Sequence, residues 1–206
     1  SHDLRNPLNV ATGRLELAAE ECDSEHLDDI ADAHERMNAL IDSLLDLARE
    51  GELATDPAPI DVAEVAESAW ESVATGDAEL RVTAGGAVVA DRSRLAQLFE
   101  NLFRNAVEHG STGSQTESDD AVDHAGSGVV VTVGDLDGGF YVADDGPGVP
   151  EADRESVFDT GYTTGEGTGF GLSIVEQVAD AHGWSVRLVE SEDGGARFEF
   201  TGVEAA

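Results

Sequence analysis

Three observations predict an α+β protein of two parts, a helical hairpin over residues 1–50 and a mixed sheet with helices on one face over residues 60–206. The first fifty residues carry apolar side chains at alternating spacings of three and four. The rest mixes short β-branched runs, bounded by Gly- and Asp-rich turns, with long helical patterns. Between them Gly51, Pro57 and Pro59 break any regular pattern, so 51–59 reads as a linker.

In the hairpin, Leu4, Leu8, Ala11, Leu15 and Ala18 form one heptad seam. Leu27, Ile30, His34, Met37, Ile41, Leu44 and Ala48 form a second, and polar residues 21–25 turn the chain between them. Two amphipathic helices alone cannot bury both stripes, so pairing with a second copy into a four-helix bundle is expected. His34 and Met37 lie in the seam and read as core. Heptad position sets His2 apart: with Leu4 at d and Leu8 at a, His2 falls at b and faces solvent. Asn6 lies one turn further along the same face. Pro7 lacks the N–H that would bond the Asp3 carbonyl, which loosens the helix there. Asp3 can orient the imidazole or take its proton, leaving the other ring nitrogen able to attack. Read alone, His2 is a solvated surface residue and Asp3 a favourable charge in the first helical turn.

In the second part, Asp61 opens a helix over 61–73, with Glu64 three residues later as its capping partner. Residues 79–84 and 87–91 read as short strands about Gly85-Gly86. A long helix covers 92–109, with Leu95, Leu98, Leu102 and Ala106 as its core stripe. Residues 110–128 hold almost no large apolar side chain and read as a surface loop. His124 in that loop has no neighbouring ligand and is assigned no metal. Strands at 129–133 and 140–143 make a hairpin around Asp137-Gly138-Gly139, and 151–158 is a short helix behind Pro150. A helix over 169–182 ends at Gly183. Strands at 184–190 and 196–201 form a last hairpin over Asp193-Gly194-Gly195.

Composition narrows the partners. With 44 acidic residues against 11 basic, all arginine, the formal charge is −33. Such a surface repels nucleic acid and anionic membrane, so neither is expected as a partner. Carboxylate excess without lysine suits very high salt, where screening removes the self-repulsion. The single Cys22 excludes an internal disulfide and fits a reducing compartment. No apolar run approaches the roughly eighteen residues of a membrane span. A cytoplasmic piece without membrane contact is therefore expected. The chain begins inside a motif, which marks it as N-terminally truncated and leaves open a membrane-anchored parent.

Four segments carry chemistry. Asn101 and Asn105 are one helical turn apart, with Gln97 and Glu108 close to the same face, and their oxygens can hold a hard cation such as Mg²⁺. As a bland alternative the face is a solvated polar stripe. Asp144, in Asp144-Asp145-Gly146-Pro147-Gly148, ends a strand and can accept from an adenine amino group, with Gly146 and Gly148 allowing close approach. The alternative there is an acidic turn. Thr160-Gly161-Tyr162-Thr163-Thr164-Gly165 reads as a lid. Gly167-Thr168-Gly169-Phe170-Gly171-Leu172 leads into a helix whose first N–H groups can bind phosphate. Absence of lysine excludes a P-loop or protein-kinase phosphate site. Arg104 is a candidate phosphate contact, or else a surface ion-pair partner.

In this order the segments resemble the sensor histidine kinases, over nearly the whole chain. Residues 1–8 look like the H-box around the phosphoacceptor, Asn101-Leu102-Phe103-Arg104-Asn105-Ala106 like the N-box, and 144–148 like the first glycine box. Phe158 looks like the F-box and 165–172 like the second glycine box. The resemblance implies a dimeric histidine-phosphotransfer hairpin followed by a Bergerat-type α/β sandwich that binds ATP and Mg²⁺. It implies phosphoryl transfer to His2, then to an aspartate of a response-regulator receiver domain, with Asn6 positioning water for dephosphorylation of that partner. The lysine-free acidity is similar to kinases of halophilic archaea. Departures are Asp3 where glutamate is frequent, Asp145 where asparagine is common, Glu108 where a lysine often meets phosphate, and a longer loop before Val129. Two other classes remain: an ATPase clamp that does not phosphorylate itself, and a silent dimer scaffold. A hairpin that starts at its own acceptor is expected to bind nucleotide yet label poorly.

Overall fold

The computed structural model describes residues 57–73, 75–110, 128–159, 162 and 169–206, together with Ala11, Arg14, Leu15, Leu27, Ile30 and Met37. The expectations for His2, Asp3, Asn6, Cys22, His34, the lid at 160–165 apart from Tyr162, and the loop at 111–127 fall outside those residues. The chain divides into two compact units, Ser1–Gly51 with Thr160–Phe170, and Glu52–Asp159 with Gly171–Ala206. In the first, the described residues of the hairpin are helical, and the seam residues Ile30 and Met37 are 45% and 41% exposed.

The second unit begins with β1 (Ala58–Asp61), so Ala58 and Pro59 are strand where a linker was expected. Pro59 is tolerated because β1 has a single partner and one open edge. Asp61 then caps α1 (Val62–Ser72), its Oδ1 accepting from Ala63 N at 2.9 Å and Glu64 N at 3.3 Å. Glu64 does not return the bond; its carboxylate takes Arg92 Nη2 at 2.7 Å. The capping box is half made, because an arginine on the next long helix is the stronger partner.

The strands around Gly85-Gly86 are not a hairpin. β2 (Glu79–Val82) pairs in parallel with β4 (Val130–Leu136), while β3 (Ala87–Ala90) pairs antiparallel with β1. Thr83 N and Ala84 N both donate to Val133 O, and Gly85 N donates to Asp135 Oδ2, which carries the chain off the larger sheet. β5 (Gly139–Asp144), β6 (Ser185–Glu190) and β7 (Ala196–Thr201) complete a five-stranded sheet in the order β2-β4-β5-β7-β6. The C-terminal residues extend the small sheet, with Val88 bridged to Ala205 and Ala206 N donating to Ala87 O.

α2 (Arg92–Gly110) and α3 (Gly171–His182) complete the helical layer. The last helix starts two residues later than the sequence pattern suggests. Asp91 ends no strand; its Oδ1 takes Ser93 N and Arg94 N as the cap of α2. Residues 151–158 are two 3-10 turns, 151–153 and 156–158, and not one helix. Each closes on a three-residue bond, Asp153 N to Pro150 O and Asp159 N to Ser156 O, and Arg154 Nε folds back onto Val149 O at 2.9 Å.

Burial follows the predicted stripe. Leu95, Leu98, Leu102 and Ala106 are buried on α2, joined by Phe99 and Phe103. A file of rings runs Trp70, Phe103, Phe99, Phe140, Phe200 from α1 through α2 to the sheet, with successive centroids 4.8–5.7 Å apart. The opposite sheet face carries Glu199, 6% exposed and held by Arg187 and Arg197, with Arg197 over the Tyr141 ring at 3.7 Å. Two guanidinium partners compensate the desolvation of that carboxylate.

Candidate functional site

The site lies along the C-terminal half of α2. At one end is Asp144, the last residue of β5. Its Oδ1 accepts from Gly146 N at 2.9 Å and Ala196 N at 3.1 Å, and its backbone carbonyl accepts from Ser191 Oγ at 2.7 Å. Among the described residues no hydrogen bond reaches Oδ2, which is left to accept from a ligand. Burial pushes the carboxyl above the ordinary carboxylate range; the N–H groups of Ala196 and Gly146 pull it back, Asp145 adds to the rise and His109 opposes it.

Glycine is needed around this carboxylate. Gly148 has φ +68°, and a Cβ on Gly195 would collide with the Asp144 carbonyl oxygen. Gly146 sits against α2, its Cβ position 3.7 Å from Gly110 Cα. Asp145 turns the other way. Its Oδ1 accepts from Val130 N at 2.7 Å and its N–H donates to Val130 O at 3.3 Å, so it ties β4 to the glycine turn.

At the other end are Asn101 and Asn105. Asn101 Nδ2 donates to Gln97 O at 2.8 Å, which leaves its Oδ1 as an acceptor. A Cβ on Gly171 would lie 3.1 Å from Asn105 Oδ1 and 3.6 Å from Asn101 Oδ1. Both amides therefore face the start of α3, where first-turn N–H groups lack helical partners. Amide oxygens and backbone donors meet at one point, which suits a hydrated cation together with an anion. Along α2 the five helical steps from Asn105 to Gly110 span about 7.5 Å, so one elongated ligand can reach both ends.

Comparison with known proteins places this geometry. Residues 90–204 match the family described as histidine kinase-, DNA gyrase B-, and HSP90-like ATPase, and residues 1–53 match the His Kinase A (phospho-acceptor) domain. The chain belongs to that ATPase family. Together the two matches make it a transmitter region of the sensor histidine kinase type. It is 31% identical to the signal transduction histidine-protein kinase/phosphatase MprB of Mycolicibacterium smegmatis, covering 94% of this chain and 41% of that protein. It is 28% identical to the sensor histidine kinase ZraS of Escherichia coli O157:H7, over 96% of this chain and 43% of that protein. The chain thus spans about two-fifths of the length of the curated relatives it matches. Among solved structures, full-length ShkA in complex with AMPPNP superposes with TM-score 0.68 at 26% identity, over 100% of this chain and 45% of that one. The mycobacterial sensor histidine kinase MprB gives 0.57 at 26% identity, over 73% and 99%.

Within this transmitter region the structure brings together Asp144, Gly146 and Gly148 at one end of the site, and Asn101, Asn105 and Gly171 at the other. Phe158 is half-buried and meets Phe198 edge-on at 6.4 Å. Leu172 is half-buried in the first turn of α3, Gly169 has φ +71°, and Arg104 is exposed beside Asn105. Thr164, Gly167 and Thr168 lie outside the described residues, as do His2, Asp3 and Asn6. Sequence reasoning missed the contacts of Ser191, Gly195 and Ala196 with Asp144. The only local signal is the pairing of Ser191 with two glycines, which reads as a plain hairpin turn. No helix among the described residues is long and apolar enough to cross a membrane.

The family implies a divalent cation, and the residues present fit one. Among the described residues no cluster of three or more His, Cys, Asp or Glu could hold a metal. The oxygens of Asn105 and Asn101 are hard neutral donors, suited to a cation that keeps most of its ligands as water and phosphate.

Proposed function

We propose that the chain is an ATP-dependent protein histidine kinase that phosphorylates its own His2 and passes the group to an aspartate of a response-regulator receiver domain. The observation that carries this reading is the Asp144 carboxylate. Its Oδ1 is fixed by two backbone donors while its Oδ2 is left to accept, at the end of a glycine-lined site in a chain whose residues 1–53 match a phospho-acceptor domain. Asp144 accepts from the adenine amino group, and Gly146 and Gly148 let backbone approach the base. Asn105, assisted by Asn101, would hold Mg²⁺, which would supply positive charge against the phosphates. Thr164, Gly167, Thr168, Gly169, Gly171 and Leu172 receive the phosphates, and Arg104 and Phe158 complete the set of nucleotide-binding residues.

In the transfer an imidazole nitrogen of His2 forms a bond to the γ-phosphorus. The bond from that phosphorus to the β,γ-bridging oxygen breaks, and ADP leaves. Asp3 orients the imidazole or takes the proton from its other ring nitrogen, and Asn6 places water for the later dephosphorylation of the partner. We take 1–50 as the hairpin and keep the linker read at 51–59 only up to residue 57, because β1 begins at Ala58 and belongs with 60–206, the ATP-binding domain. Exposure of Ile30 and Met37, both seam residues, supports a homodimer through the hairpin. A charge of −33 without lysine supports a halophilic, haloarchaeal-type surface; the relatives named above are bacterial, so composition alone carries that part.

The test is acid-labile label on His2 from γ-labelled ATP, at molar salt and with Mg²⁺. His2→Ala should abolish it. Nucleotide binding without label on His2 would make the chain an ATPase clamp, and no ATP binding would make it a scaffold.

A further inference from the structure

We infer that Ser191 is a positioning residue for the base: the turn at 191–195 aims the Asp144 carboxylate and so sets the preference for adenine over guanine. The inference rests on the reading of Asp144 as the adenine anchor. Ser191 is 8% exposed and lies between β6 and β7, 47 residues from Asp144 in sequence. Its hydroxyl donates to Asp144 O at 2.7 Å and accepts from Gly195 N at 3.1 Å and Asp193 N at 3.3 Å. The turn is closed by Ser191 N to Gly195 O at 2.9 Å and Gly194 N to Ser191 O at 3.1 Å.

The next residue, Ala196, donates its N–H to Asp144 Oδ1. Backbone and side chain of Asp144 therefore hang on the same short turn. Ser191 fixes where the carbonyl sits, Ala196 fixes Oδ1, and the direction of Oδ2 follows from the two. Gly195 lets the turn come this close, since a Cβ there would strike both the Asp144 carbonyl oxygen and Oδ1. Arg154 braces the arrangement, reaching Val149 O at 2.9 Å and Glu190 at 3.2 Å. If Ser191 only closed a hairpin, its loss would loosen the fold without regard to the base. An aiming role has a different signature: only a base with an exocyclic amino group opposite Oδ2 notices the change.

The experiment measures dissociation constants for MgATP and MgGTP by calorimetry on the full chain, beside thermal unfolding. Ser191→Ala should weaken ATP about tenfold, the scale of one buried hydrogen bond, and leave GTP unchanged. Ser191→Thr, which keeps the hydroxyl, should restore ATP binding. Ser72→Ala on α1, which removes hydroxyl bonds to Ala69 O and to Glu100 of α2, should alter neither nucleotide. Equal losses for ATP and GTP, or an unchanged ratio, overturn the inference. If Ser191→Ala does not fold, Gly195→Ala must give the same ATP-selective loss, and a base-blind loss overturns the inference equally. If Asp144→Asn abolishes ATP preference while Ser191→Ala does not touch it, only the role of Ser191 falls. If the wild-type chain shows no preference for ATP, the reading of Asp144 falls, and this inference with it.

Discussion

The two ends of the site solve different problems with different materials. The Asp144 end is built from backbone: two N–H groups on one oxygen, a serine hydroxyl on the carbonyl, and glycines where any side chain would collide. The Asn101–Asn105 end is built from side-chain amides on one helix facing the start of another. The first is preorganised for one geometry and holds a half-buried charge whose partial desolvation raises its own cost. The second offers neutral oxygens that gain value only when a cation arrives with its own ligands. Discrimination between bases belongs at the first end, and dependence on Mg²⁺ at the second.

Phe99→Ala should be the most damaging change, because the ring is fully buried between Phe103 and Phe140 and joins α2 to the sheet beneath both ends. Unfolding in denaturant should show a loss of about 3–5 kcal/mol, with ATP preference retained in whatever remains folded. Asp144→Asn should come next. It keeps an acceptor at Oδ1 but turns a donor toward the adenine amino group, so ATP affinity should drop about a hundredfold. Thermal unfolding should move upward in the same variant, because a desolvated charge is gone. A variant that lost stability while keeping affinity would erase the proposed contrast between the ends.

Asn105→Ala should cost about tenfold in affinity for MgATP and nothing for ADP measured with chelator present. Asn101→Ala should cost less, since its amide is partly engaged with Gln97 O. Loss independent of Mg²⁺ would merge the two ends into one. The smallest effects come from pH. Burial raises the Asp144 pKa in the folded protein, so the folded chain keeps a proton that the unfolded chain has lost. Stability should therefore fall as pH rises from the ordinary carboxylate range through the raised value, while ATP affinity climbs over the same window. Glu176 is raised too, by burial and then by Asp180 and Asp159. Glu176→Gln should remove a small stability loss of the same sign and leave affinity alone.

Much of this was legible from residues. The stripe of Leu95, Leu98, Leu102 and Ala106 announces α2, and an aspartate at a strand end before two glycines marks Asp144. The N-cap at Asp61 is equally local. What stayed hidden is tertiary. Parallel pairing of β2 with β4 joins Leu80 to Val131 with no turn signal between them. Ala58 and Pro59 form a strand only because β3 and the C-terminal residues lie beside them. Ser191 gives no sequence hint of Asp144, because its partner is a main-chain oxygen and any residue could supply one. The 3-10 turns at 151–158 depend on Arg154 folding back onto Val149 O, which no periodicity encodes.

The ring file has a practical corollary. Of the only two indoles in the chain, Trp70 heads the file, edge-on to Phe103, and Trp184 contacts it, edge-on to Phe140. Residues 1–51 contain none. Intrinsic emission is therefore a native optical probe of the α/β unit alone, and loss of the hairpin would pass unseen by it unless the rings were disturbed.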